Sequence, residues 1–159
     1  RVEIRAERQW QLLHGEYPLK KLKVIIAEEA FLRPVGGRDP MIEQLEHLKK
    51  MNSHPLVALY VVPLSIGVHA LAAPFTVITF WHALDQEAVY LETVAGELWV
   101  EGQGVQNYER VFEELVADSV SKTDTVKVID AAIRRLACQP AEIGSRHYGW
   151  VDLAQVQPQ

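Results

Sequence analysis

The chain has 159 residues, 48% apolar and 23% charged, the proportions of one ordinary folded domain able to bury its own core. Its net charge of −5 excludes autonomous nucleic-acid binding through a basic footprint, and its single cysteine, Cys138, excludes an internal disulfide and accords with a reducing compartment. The longest apolar run, around Leu56 to Val68, is broken by Pro63, Ser65 and Gly67, well short of the roughly 20 residues that a bilayer span requires.

In chain order, Val2 to His14 sets Ile4, Trp10, Leu12 and Leu13 among Arg, Glu and Gln, the pattern of a helix with one partly apolar face. The start is charged and has no signal-peptide core, so the expected location is the cytoplasm. Leu22 to Ala27 reads as a buried strand of β-branched residues, with Glu28 and Glu29 at its end. Phe31 to Asp39 must turn, because it holds Pro34 and the pair Gly36-Gly37. Asp39 followed by Pro40 is a helix start signal, an N-cap side chain before a proline whose missing N–H costs nothing there. Met41, Ile42, Leu45, Leu48 and Met51 then recur as a helical stripe.

Most of the β-type pattern lies between Leu56 and Glu101. Leu56 to Pro63, Phe75 to Trp81, Ala88 to Val94 and Glu97 to Val100 are rich in Val, Ile, Phe, Tyr and Trp and are separated by turn residues. Pro63 to Pro74 is a long connection, of a length often functional. Ala95-Gly96 predicts a tight hairpin turn. Period-two alternation places Val89, Leu91 and Thr93 on one face and Tyr90 and Glu92 on the other, with Leu98 and Val100 opposed to Glu97, Trp99 and Glu101 in the return strand. Val105, Tyr108, Val111, Phe112, Leu115 and Val116 form a helical stripe, and Ser121 to Asp124 opens a second helix through Val126, Ile129, Ile133 and Leu136. The expected fold class is α+β: a mainly antiparallel sheet of about five strands, amphipathic helices and a C-terminal helical hairpin. Residues 1–138 form one domain in this reading and 139–159 an extended tail.

The chain has no GxGxxG, P-loop, HExxH or paired CxxC, and its six histidines lack metal-ligand spacing; neither cofactor nor metal is expected. His69, between Gly67 and Pro74 in the long loop, is either a ligand contact or a tether of that loop. Glu28 and Arg33 at a strand end could orient a charged ligand through charge-assisted hydrogen bonds or brace the turn as an ion pair. Tyr90, Glu92 and Trp99 could form an aromatic and acidic wall for a cationic or heteroaromatic ligand, or lie beneath a helix or a dimer contact.

The blocks VIIAEEAFLRPVGG, MIEQLEHLKKM, VVPLSIGVHALAAPFTVITF, VYLETVAGELWVE and NYERVFEELVADSVS, in that order, resemble the domain of unknown function that follows the helix-turn-helix in Xre-type regulators of actinobacteria, sometimes called antitoxin-like. The likeness spans Val2 to Leu136. Its recurring positions match Glu28, Glu29, Arg33, Pro34, Gly36, Gln44, Leu45, Pro63, Gly67, His69, Pro74, Phe75, Tyr90, Leu91 and Glu92. Trp81-His82 and the stretch after Leu136 depart from the pattern, and the DNA-binding part is absent from this sequence.

The resemblance implies a non-catalytic, homodimeric domain that binds a small molecule or a partner segment and reaches DNA only through a helix-turn-helix. A stand-alone enzyme of isomerase or cyclase type is the alternative, with Glu92, His69 or His82 as acid or base. A protein-binding module of a toxin-antitoxin-like pair is a third reading.

Overall fold

The computed structural model describes residues 18, 20–67, 73–80 and 87–139. The predicted helix Val2 to His14, the centre of the Pro63 to Pro74 loop and the tail beyond Gln139 lie outside them. Five strands and three α-helices follow in the order β1 (Leu22–Ala27), a 3-10 helix (Glu28–Leu32), α1 (Arg38–Asn52), β2 (Val57–Val62), β3 (Phe75–Ile78), β4 (Ala88–Thr93), β5 (Gly96–Glu101), α2 (Gln103–Asp118) and α3 (Lys122–Ala137). The α+β class stands, with the five strands divided between two sheets. β1 and β2 pair in parallel, and β3-β4-β5 form an antiparallel sheet.

The parallel pair follows from what lies between its strands. A parallel neighbour needs a crossover, which the 3-10 helix and α1 supply, bringing Leu22 opposite Val57 and Ala27 opposite Val62. β1 is half-buried along most of its length rather than fully buried. The helix after it starts earlier than Asp39. Gly36 and Gly37 adopt φ of 79° and 107°, a region that favours glycine, and the Gly37 carbonyl accepts from the Met41 N–H at 3.3 Å. Gly37 is therefore the cap and Arg38 the first helical residue. Asp39 instead takes a 2.7 Å bond from Arg38 Nε, while Pro40 still sits in the first turn, where no N–H is needed.

One core lies between this layer and two helices. Met41 and Leu45 of α1, Leu59 and Val61 of β2, and Ile129, Ala132 and Leu136 of α3 close around Phe31. The outer edge of β2 is covered rather than exposed. Val61 O accepts from the Val120 N–H at 2.9 Å, the Leu59 N–H donates to buried Asn52 Oδ1 at 3.2 Å, and Thr125 Oγ1 reaches Leu59 O at 3.5 Å. Those groups belong to alternate residues, as the pleat requires.

A second core sits under the antiparallel sheet, where Val89, Leu91 and Val105 pack with Phe75, Val77, Val100 and Tyr108. Gly104 fits there because a Cβ would run into Val100. The predicted hairpin helices do follow one another directly, but they bury against different layers: α2 on the antiparallel sheet and α3 on β2 and α1. α3 opens as its sequence predicts. Ser121 Oγ accepts from the Asp124 N–H at 3.1 Å and donates to Asp124 Oδ2 at 2.7 Å, a serine N-cap whose hydroxyl is held by the aspartate side chain. α2 ties the layers together, since Tyr108 lies 5.2 Å from the Phe75 ring and Glu113 pairs at 2.8 Å with Lys23 of β1. Among the described residues no helix is long and apolar enough to cross a membrane.

Candidate functional site

The hairpin of β4 and β5 turns at Val94-Ala95, and Gly96 takes a φ of 127° to close it, a value that costs glycine least. Thr93 Oγ1 donates to Gly96 O at 2.7 Å and fastens the turn. Cross-strand pairs then run Glu92 with Glu97, Leu91 with Leu98, Tyr90 with Trp99, Val89 with Val100 and Ala88 with Glu101. The pleat sends Val89, Leu91 and Val100 toward α2. By the same period, Tyr90, Glu92, Glu97, Trp99 and Glu101 share the opposite face.

That face is accessible. The Tyr90 and Trp99 rings pack at 5.0 Å and 56°, a tilted arrangement their quadrupoles favour, and Trp99 still exposes 52% of its surface. Glu92, Glu97 and Glu101 are exposed and make no ion pair among the described residues. Glu92 stands directly across from Glu97, and like charges in that position destabilise a sheet. Val94, in the turn, adds apolar surface at 101% exposure, whereas Leu98, 51% exposed, lies on the opposite face with Leu91. Tyr90, Glu92 and Trp99 thus share one face of the hairpin, with no described helix over it.

The other predicted residues separate from this face. Glu28 Oε2 accepts from the Leu64 N–H at 2.8 Å, so its carboxylate holds the start of the loop after β2. Arg33 is exposed, and no ion pair joins it to Glu28 among the described residues. His69 and His82 lie outside the described residues. No group of His, Cys, Asp and Glu among the described residues is arranged to hold a metal ion.

Sequence reasoning missed a second acidic feature. Glu87, ahead of β4, and Glu109 of α2 line an open pocket of about 290 Å³ with Gly102, Val105 and Gln106. Thr79 Oγ1 donates to Glu87 Oε1 at 3.2 Å. The Glu109 carboxyl is held above its ordinary 4.5, first by its hydrogen bond with Glu87, then by burial and by the Glu87 charge. No local pattern marks this pair, since Glu87 and Glu109 meet only when α2 packs on the sheet.

The pair predicts a pH dependence of stability. A carboxyl whose folded pKa is raised favours the fold while protonated, so its contribution is complete below the unfolded value and fades as pH rises through the folded one. The melting temperature of the native chain relative to Glu109→Gln is expected to fall between pH 4.5 and neutrality, because glutamine keeps a donor toward Glu87 at every pH. A constant difference across that window would remove the shared proton.

Compared with known protein families, residues 1–131 match the family described as Domain of unknown function (DUF5753). No curated protein and no solved structure matches the chain.

Proposed function

We propose, for a chain that belongs to the DUF5753 family of domains of unknown function, a role as the non-catalytic interaction and dimerisation half of a transcription regulator. The observation that carries the interaction part of this reading is the exposed Tyr90, Glu92, Glu97, Trp99 and Glu101 face; dimerisation is what the family resemblance implies. A protein that keeps a tryptophan half-exposed between carboxylates with no ion pair among the described residues holds a recognition surface at the expense of some stability. The same sheet is fastened through α2 to the β1–β2 layer, by Phe75 against Tyr108 and by Lys23 with Glu113. Occupancy of the outer face can therefore be felt across the domain.

The resemblance of the sequence blocks to Xre-type actinobacterial regulators supplies the regulatory context, with DNA contacted through a helix-turn-helix. The enzyme alternative is less well supported, because Glu92 is exposed, whereas an acid or base acting on a positioned substrate sits in an enclosed site. Sedimentation equilibrium of the purified chain at micromolar concentration is expected to give a dimer mass. Fusion to a DNA-binding domain that represses only as a dimer is expected to restore repression. A monomer that fails to restore repression would sink the reading.

A further inference from the structure

We infer that β5 is a docking edge for an extended, basic segment of a partner protein, which adds to the sheet as a strand and lays its lysine or arginine side chains on the Tyr90 and Trp99 rings between Glu92, Glu97 and Glu101. The inference deepens the interaction-domain reading above by naming the partner's chemistry, and it rests on that reading.

Three observations select this occupant. First, β5 is an edge strand of the antiparallel sheet among the described residues, and five of its six residues are exposed. An accessible edge offers a row of backbone donors and acceptors that an incoming strand can pair. Second, the charges on the shared face are of one sign. Glu92 and Glu97 oppose each other across the ladder with no cation in reach among the described residues. A cation placed between them relieves the repulsion and also meets the faces of Tyr90 and Trp99, 5.0 Å apart. Third, the surface is open, with Trp99 exposed by 52%. Small-molecule sites are concave and bury most of their ligand, whereas a strand needs only an edge and alternating side-chain positions.

The same charges argue against a second copy of this chain at the edge. Antiparallel pairing of β5 with itself centred on Trp99 sets Glu97 against Glu101 in both directions, an arrangement that repels. Lysine or arginine at alternate positions of the partner would face Glu97 and Glu101, and the residues between them would meet Leu98.

Titration calorimetry of the full chain with the capped peptide Thr-Lys-Val-Lys-Val-Lys-Thr tests the proposal. Saturable binding is expected, weakening as salt rises. It should fall about tenfold in the variant Glu92→Gln, Glu97→Gln, Glu101→Gln and likewise in Trp99→Ala, with circular dichroism melts showing that these exposed substitutions leave the fold intact. Four results would overturn the inference: no binding at millimolar peptide; equal binding when the peptide lysines are replaced by glutamate; undiminished binding when its alternate backbone amides are N-methylated; or tetramethylammonium competing as strongly as the peptide does. Sedimentation separates this outcome from that of the broader reading. A dimer that binds no peptide removes the docking edge alone, and a peptide-binding monomer removes dimerisation alone. If Trp99→Arg converts a dimer to a monomer, the occupant is a second copy and the proposal fails.

Discussion

Replacing Ile129 with alanine is expected to destabilise the chain by about 2–5 kcal/mol, the range for truncating a buried isoleucine or leucine. Ile129 is fully buried, at 0% exposure, in the core where α1 and α3 close on β2. Its neighbours Leu45 and Val61, also at 0%, come from two other elements, so collapse into the cavity would have to move a helix and a strand together. The loss is a large part of the roughly 5–15 kcal/mol that holds a domain folded. Urea denaturation should show a lower midpoint with an unchanged slope. A loss below about 1 kcal/mol would mean that the site repacks freely.

The second large effect concerns a polar group. Asn52, 2% exposed, closes the last turn of α1 against β2: its Oδ1 accepts from the Leu59 N–H at 3.2 Å and its Nδ2 donates to Lys122 O at 3.4 Å. Asn52→Leu keeps the branched side-chain shape and removes both bonds, leaving the Leu59 N–H desolvated without a partner, while Lys122 O keeps its place in the helical ladder of α3. An unsatisfied buried group of this kind costs about 1–3 kcal/mol. Thr125→Val at the same edge is expected to cost less, because the Thr125 contact to Leu59 O is long, at 3.5 Å, and weak at that separation. Matched denaturation curves of the two variants test this order. If Thr125→Val proved the more damaging, the edge would depend on the hydroxyl rather than on the amide.

The parts of the fold legible in the sequence are those set by neighbours along the chain. The Met41 and Leu45 stripe, the Ser121 to Asp124 cap and the β4–β5 hairpin each arise from a period or a turn that spans a few residues, although the hairpin turns at Val94-Ala95, one residue ahead of the predicted Ala95-Gly96. The Tyr90, Glu92 and Trp99 face was legible for the same reason. Once a short turn fixes the register, alternation alone assigns each side chain to a face. Glu28 was found as a residue of interest, but its bond to the Leu64 N–H was not, because Leu64 comes from a different part of the chain. The helix start was misplaced at Asp39 because the two glycines that redirect the chain carry no capping side chain of their own.

By itself the sequence determined an α+β domain of one layer of helices and strands after another, and it located the aromatic and acidic surface of β4 and β5 on which the proposed function turns. Only the tertiary structure decided that Leu22–Ala27 runs parallel to Val57–Val62 as a separate sheet, that the last two helices serve different cores, and that Glu87 meets Glu109. It also decided that Trp99 stays 52% exposed, with no described helix over it. The physical reason is common to all four. Local periodicity fixes which way a side chain points, but what it points at depends on loop closure between distant segments, and the free energy for that closure comes from burying both partners together.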